Sequence, residues 1–182
     1  MATRTWNIDT AHSAIRFTVR HLVIAKVRGV FGSYRGTLQL DDQDLAKSSV
    51  KVEIDAASVD TKEEKRDAHL RSGDFLDAEQ FPTLTFVSKR VELEGGKVTK
   101  VIGELTIRGT TKEVALEVDD LGRAKDPWGN EKIAFEATTR INRYDFGLKW
   151  NAALEAGGVL VGENVDITLE VQAAAAAASA AA

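Results

Sequence analysis

Apolar and polar residues alternate with a period of two along most of this chain. In Ser13–His21, Ile15, Phe17 and Val19 fall on one face and Arg16, Thr18 and Arg20 on the other. Val50, Val52 and Ile54 oppose Lys51 and Glu53, and Leu105 and Ile107 oppose Glu104, Thr106 and Arg108. Val114, Leu116 and Val118 repeat the pattern, as do Val165, Ile167, Leu169 and Val171. Such one-sided alternation marks antiparallel strands with one buried and one wet face. It predicts eight main strands, at about 13–21, 30–40, 49–55, 83–93, 98–108, 112–119, 132–142 and 159–171, with a short N-terminal strand near 4–9. Gly95-Gly96 and Gly109-Thr110-Thr111 supply hairpin turns, and Asp126-Pro127-Trp128-Gly129-Asn130 separates two more strands. Phe31 and Tyr34 differ in parity, which predicts a bulge near Gly32.

One stretch breaks the alternation. Thr61–Ser88 becomes charged and helix-like, then presents Leu70, Phe75, Leu76 and Phe81 before Pro82 opens a new strand. Thr61-Lys62-Glu63-Glu64 fits a capping box for a helix from about Lys62 to Arg71, and Asp74 could cap a further turn. A helical crossover in an antiparallel sheet is a candidate cover for a barrel. The same aromatics could equally serve as plain core, and residue types alone leave both readings open.

Composition narrows the partners. The chain has 182 residues, enough for one domain with a substantial core, and a net charge of −4 with both signs scattered. No basic stripe exists to neutralise phosphates, so nucleic acid is not expected. There are no cysteines, which removes disulfides and thiolate chemistry. No apolar run is long enough for a membrane span, and no signal-like segment opens the sequence. The expected location is therefore cytoplasmic, or periplasmic if a leader has been removed. The last ten residues, Ala173–Ala182, are nine alanines and a serine, read as a disordered or fraying helical tail beyond a domain at 1–172.

Catalytic motifs do not emerge. His12 and His21 are nine apart and would face opposite sides of a regular strand, and no other ligand pattern accompanies them or His69. No metal is expected. Asp145-Phe146-Gly147 lacks every other part of a kinase and reads as a strand end at which Gly147 takes an unusual backbone angle. Gly157–Gly162 is no phosphate loop. What remains is aromatic supply, from Phe17, Phe31, Phe75, Phe81, Phe86, Phe135, Phe146 and Trp150. An eight-stranded barrel is either filled by side chains or holds one small ligand. Hydrocarbon burial is worth about 0.8 kcal/mol per CH₂, so a chain of a dozen carbons could supply roughly ten kcal/mol before ordering costs.

Arg66-Asp67-Ala68-His69-Leu70-Arg71-Ser72-Gly73-Asp74-Phe75-Leu76-Asp77, followed by Phe81-Pro82-Thr83-Leu84-Thr85-Phe86, resembles the central motif of the YceI-like, polyisoprenoid-binding family. Trp6-Asn7-Ile8-Asp9 with His12-Ser13 and Phe17 resembles its N-terminal signature. Gly103–Gly109 with Thr111-Lys112 resembles its central hairpin. Asn142-Arg143, Asp145-Phe146-Gly147 and Gly158–Gly162 resemble its C-terminal signature. The likeness spans about residues 5–172. It implies an all-β fold with one short helical crossover: an antiparallel, eight-stranded, lipocalin-like β-barrel. It also implies non-catalytic binding of a polyisoprenoid, isoprenoid quinone or similar lipid, for carriage, storage or sequestration, with no cofactor. The alanine tail and the absence of a visible leader lie outside the pattern.

Parity and position then nominate ligand-facing residues. Phe17, Val19, Phe31, Leu38, Phe86, Leu105, Ile107, Leu116 and Phe135 are expected on the interior, and Phe75, Phe81 and Trp150 at the mouth or cover. His12, Ser13, His69, Asn142 and Arg143 are candidates for a polar head group. Two alternatives remain: an interaction module with a filled barrel, able to form a homodimer, and a lipid-acting enzyme using His12 or His69.

Overall fold

The structure, a computed structural model, describes residues 3–155 and 157–177. Its strands are β1 (Thr3–Ile8), β2 (Ala14–His21), β3 (Ala25–Phe31), β4 (Tyr34–Asp41), β5 (Ser49–Asp55), β6 (Val59–Asp60), β7 (Thr83–Glu94), β8 (Lys97–Ile107), β9 (Thr110–Lys125), β10 (Glu131–Asn142) and β11 (Val161–Ala175). One helix, α1 (Glu64–Arg71), lies between β6 and β7. The strands form a closed, eight-stranded antiparallel barrel, with the ring β1-β4-β5-β7-β8-β9-β10-β11 completed by pairing of β1 with β11.

The other three strands extend this ring upward. β1 and β2 run in the same direction along β11: Ile8 pairs with Ala173, and after an interruption Ala14 opposes Glu170 and His21 opposes Val161. Ser13 patches the interruption, its Oγ accepting from Gln172 N at 2.9 Å and donating to Gln172 O at 3.1 Å. β3 and β4 form a second interrupted strand, β3 pairing with β2 and β6, β4 with β1 and β5. The expected single strand over 30–40 is therefore divided at Gly32–Ser33, where the chain changes neighbours and Gly32 N donates to Ser58 O.

Two other boundaries differ from the sequence expectation. β9 runs to Lys125 rather than ending near 119, because its polar end pairs with Glu131–Ala134 across the Asp126–Asn130 turn. β11 runs to Ala175, so the first three residues of the alanine tail are strand, held by β1 and β10. The disordered or fraying helix expected of the tail lies, beyond Ala177, outside the described residues. Helix α1 starts at Glu64, with Glu63 as its N-cap accepting from Lys65 N and Arg66 N. Thr61 does not cap the helix; its backbone N–H and hydroxyl both donate to buried Asp67. Phe75 N is bonded to Ser72 O, and Asp74 bonds His69 instead of capping that turn.

Two packing layers follow. At the end where β1 begins, fully buried Trp6 packs with Leu38, Leu40, Ile133 and Ala173 and plugs the barrel. Arg4 and Arg123 lie over its ring at 5.0 and 5.6 Å, tied to Glu131 and Asp42. The larger cluster occupies the rest of the interior and the opposite end, from Ile15 and Ile54 to Phe146 and Leu148. Close approach requires glycine at two places within it. A Cβ on Gly29 would collide with the Phe17 ring, and one on Gly103 would lie 2.6 Å from the Phe86 ring.

Candidate functional site: a covered apolar cavity

Inward side chains from around the barrel line a cavity of about 390 Å³. This is within the range of small-molecule sites, roughly 300–1,000 Å³. Its walls include Phe17, Val19, Phe31, Leu38, Phe86, Leu105, Ile107, Leu116 and Phe135. Phe75 and Trp150 line it from the covered end. The walls are almost entirely hydrocarbon.

The cover has two parts. One is the α1 crossover, anchored by Phe75 and Leu76, which are 5% and 7% exposed. Its charged residues are mooring points: Arg71 donates to Ala57 O and Val59 O, Arg66 to Thr61, and Arg108 of the β8–β9 turn to Phe75 O. The other part is the segment after β10, in which Phe146 and Leu148 are buried and Gly147 takes φ 81° to end a 3-10 turn over Arg143–Phe146. The two parts meet in an aromatic cluster. His69 stacks edge-on against Phe75 at 5.0 Å and Trp150 at 4.6 Å, while its Nε2 bonds Asp74 at 2.8 Å.

Arg143 fastens the second part. It is 3% exposed and donates to four carbonyls: Nε to Gly162, Nη1 to Leu148 and Trp150, and Nη2 to Val161, at 2.7–3.2 Å. A guanidinium has five N–H donors, so at most one is left for a ligand. Burial pushes it below its ordinary pKa. Asn151, which carried no sequence signal, completes the fastening: its side chain bonds the Tyr144 hydroxyl and both backbone groups of Val161.

Among the head-group candidates, Ser13, His69 and Arg143 border the cavity. His12 lies outside on the β1–β2 turn, exposed and bonded to Asp9 at 2.9 Å. Asn142 caps the 3-10 turn by accepting from Tyr144 N. Neither lines the cavity, nor does Phe81, whose ring packs against Gly109. Sequence reasoning missed Tyr34. Its hydroxyl is buried and has no hydrogen-bond partner, although the ring borders the cavity. Burial is the larger cause of its raised pKa, with the negative charge of Asp9 adding to it. Parity at the β3–β4 break was the only signal available for it.

The sequence profile of the YceI-like domain matches residues 6–173. The chain belongs to this family. A UPF0312 protein of Vibrio parahaemolyticus is 39% identical over 143 residues, covering 78% of this chain and 76% of that protein. The solved YceI protein of Campylobacter jejuni aligns with a TM-score of 0.74 and 31% identity, over 87% of this chain and 90% of its own. A polyisoprenoid-binding domain from Saccharophagus degradans shares the fold at TM-score 0.68 and 15% identity, over 94% and 98% of the two chains. The overall fold is thus shared with both solved structures. Among the described residues, no group of three or more His, Asp or Glu side chains is placed to hold a metal, and no helix is long and apolar enough to cross a membrane.

Proposed function

We propose that this YceI-like barrel is a non-catalytic binding protein for one long apolar chain of the polyisoprenoid type, held for carriage or sequestration. The observation that carries the reading is the 390 Å³ cavity of hydrocarbon beneath a moored two-part cover. A barrel serving only as an interaction module would be filled by its own side chains. The polyisoprenoid-binding domain of Saccharophagus degradans, which has this fold, supports the same ligand class. A ligand seated against the Tyr34 ring would bring its buried, unpaired hydroxyl an acceptor: a phenol kept protonated donates to a neutral oxygen such as that of a quinone, phenol or alcohol. Arg143, with four of its five donors already used, favours a neutral end group over a phosphorylated one. Native mass spectrometry and solvent extraction of the purified protein should recover an apolar molecule, or show uptake of a prenyl quinone offered to empty protein. Protein that is always empty and takes up no prenyl chain overturns the reading.

A further inference from the structure

Three consecutive apolar residues, Leu22, Val23 and Ile24, form the tip of the β2–β3 hairpin, at the end of the barrel opposite the Trp6 plug. Ile24 is 87% exposed and Val23 56%. Leu22 and Val23 take left-handed backbone, at φ 54° and 66°. Asn or Gly adopts that conformation at little cost, and a β-branched residue does not. Turn chemistry would select Asn-Gly here, so the apolar tip is kept against local preference. A neighbouring turn enlarges it: Val159 is exposed, Leu22 N donates to Leu160 O at 2.8 Å, and Val23 packs beside Gly158.

The stem beneath the tip is cationic. Arg20 stands directly opposite Lys26 in the ladder, and Arg28 opposite Thr18, all three exposed. Like charges directly opposite one another destabilise a strand pair. Among the described residues none of the three lies within 4.0 Å of a carboxylate; Glu170 is paired with Arg16, and Asp166, paired with Arg140, is the one acid on which the charges of Lys26 and Arg20 also act. Arg20, His21, Leu160 and Val161 also border the cavity, so the hairpin stands beside its covered end.

We propose that the β2–β3 hairpin docks the barrel onto an anionic lipid bilayer, with Leu22, Val23 and Ile24 entering the acyl boundary and Arg20, Lys26 and Arg28 lying among the head groups. The chain carries −4 overall, so attraction to such a surface comes from this local cluster. An apolar tip with basic flanks is the arrangement that binds an interface without spanning it. A second copy of the chain fits less well, because a two-fold contact through this tip would bring the cationic stem against itself. Docking would bring the covered end of the cavity to the membrane; it extends the carrier reading and rests on it for its purpose, while its test stands apart.

The test uses the full chain with vesicles of phosphatidylcholine alone or mixed with phosphatidylglycerol, at low and high salt, read by co-sedimentation. Binding to the mixed vesicles that weakens with salt is expected. Ile24→Asp should lower partitioning at least about tenfold, and Lys26→Glu roughly fivefold or more. Trp128→Ser, which removes an 83% exposed aromatic at the opposite end of the barrel, should leave it unchanged. Circular dichroism confirms that each variant is folded. No binding, equal binding to neutral and anionic vesicles, or parental binding by folded Ile24→Asp overturns docking; so does a dimer in solution that Ile24→Asp abolishes. Solvent extraction separates the two readings. Protein that docks but is always empty overturns the carrier reading alone, and loaded protein that never docks overturns docking alone.

Discussion

Arg143 and Tyr34 are both polar groups taken into an apolar interior, and they are treated in opposite ways. Arg143 satisfies four donors, two on carbonyls of the segment it fastens and two on carbonyls of β11. The Tyr34 hydroxyl satisfies nothing. An unpaired buried hydroxyl costs about 1–3 kcal/mol, a cost that a ligand oxygen would relieve. The pH consequence has a definite sign. Because the folded state raises the Tyr34 phenol above its ordinary value, folded protein keeps this proton after the unfolded chain has lost its own. Ionisation of Tyr34 therefore adds no penalty at neutral pH and progressively lowers stability above about pH 10. Ultraviolet titration of a Tyr144→Phe variant, which leaves Tyr34 as the single tyrosine, should show ionisation above the ordinary phenol range. An ordinary midpoint would mean the hydroxyl reaches water. A bound quinone or alcohol should move the transition higher still.

At the scale of elements, the cover divides its work between charged and aromatic residues. Arg66 and Arg71 of the crossover, with Arg108 from the β8–β9 turn, moor it to backbone carbonyls, and Phe75, with Trp150 from the opposite segment, closes over the cavity. Phe75→Ala and Trp150→Ala should therefore speed release of a bound fluorescent prenyl chain by roughly tenfold each, from about 1–2 kcal/mol of lost contact. Lys65→Ala should leave release unchanged. Phe81→Ala, although equally aromatic, should lower stability without a matching change in release, since Phe81 packs on Gly109 and does not line the cavity. Equal release rates for all four variants would remove the cover from the mechanism. The charged run in Arg66–Asp77 was legible as a break in the strand pattern. That its charges bind backbone was not, because an Arg–carbonyl contact leaves no periodic trace in a sequence.

For the molecule as a whole, closure depends on a feature with almost no sequence signal. Ala173 is fully buried beside Trp6 and completes the pairing of β11 with both β1 and β10. Ala173→Glu should destabilise the barrel by about 3 kcal/mol or more, since it places a carboxylate in the plug. Ala177→Glu, at an exposed position, should stay within about 0.5 kcal/mol of the parent. Urea unfolding of the two variants measures the difference, and equal midpoints would show that the plug does not need this strand end.

The alternating pattern by itself determined the strand class, most of the strand positions, which side chains face inward and where the crossover interrupts the sheet. Each of these follows from the period-two geometry of a strand, which any single segment displays. Four things were decided only by tertiary structure: the partner change at Gly32–Ser33, the recruitment of Ala173–Ala175 as strand, the second half of the cover from 143 to 150, and the isolation of the Tyr34 hydroxyl. All four depend on which distant segment lies alongside. Alanine, asparagine and tyrosine fit many neighbours, so their own sequence cannot name the one they meet. The aromatic load stated that an apolar interior existed; only the closed barrel decided that part of it is space.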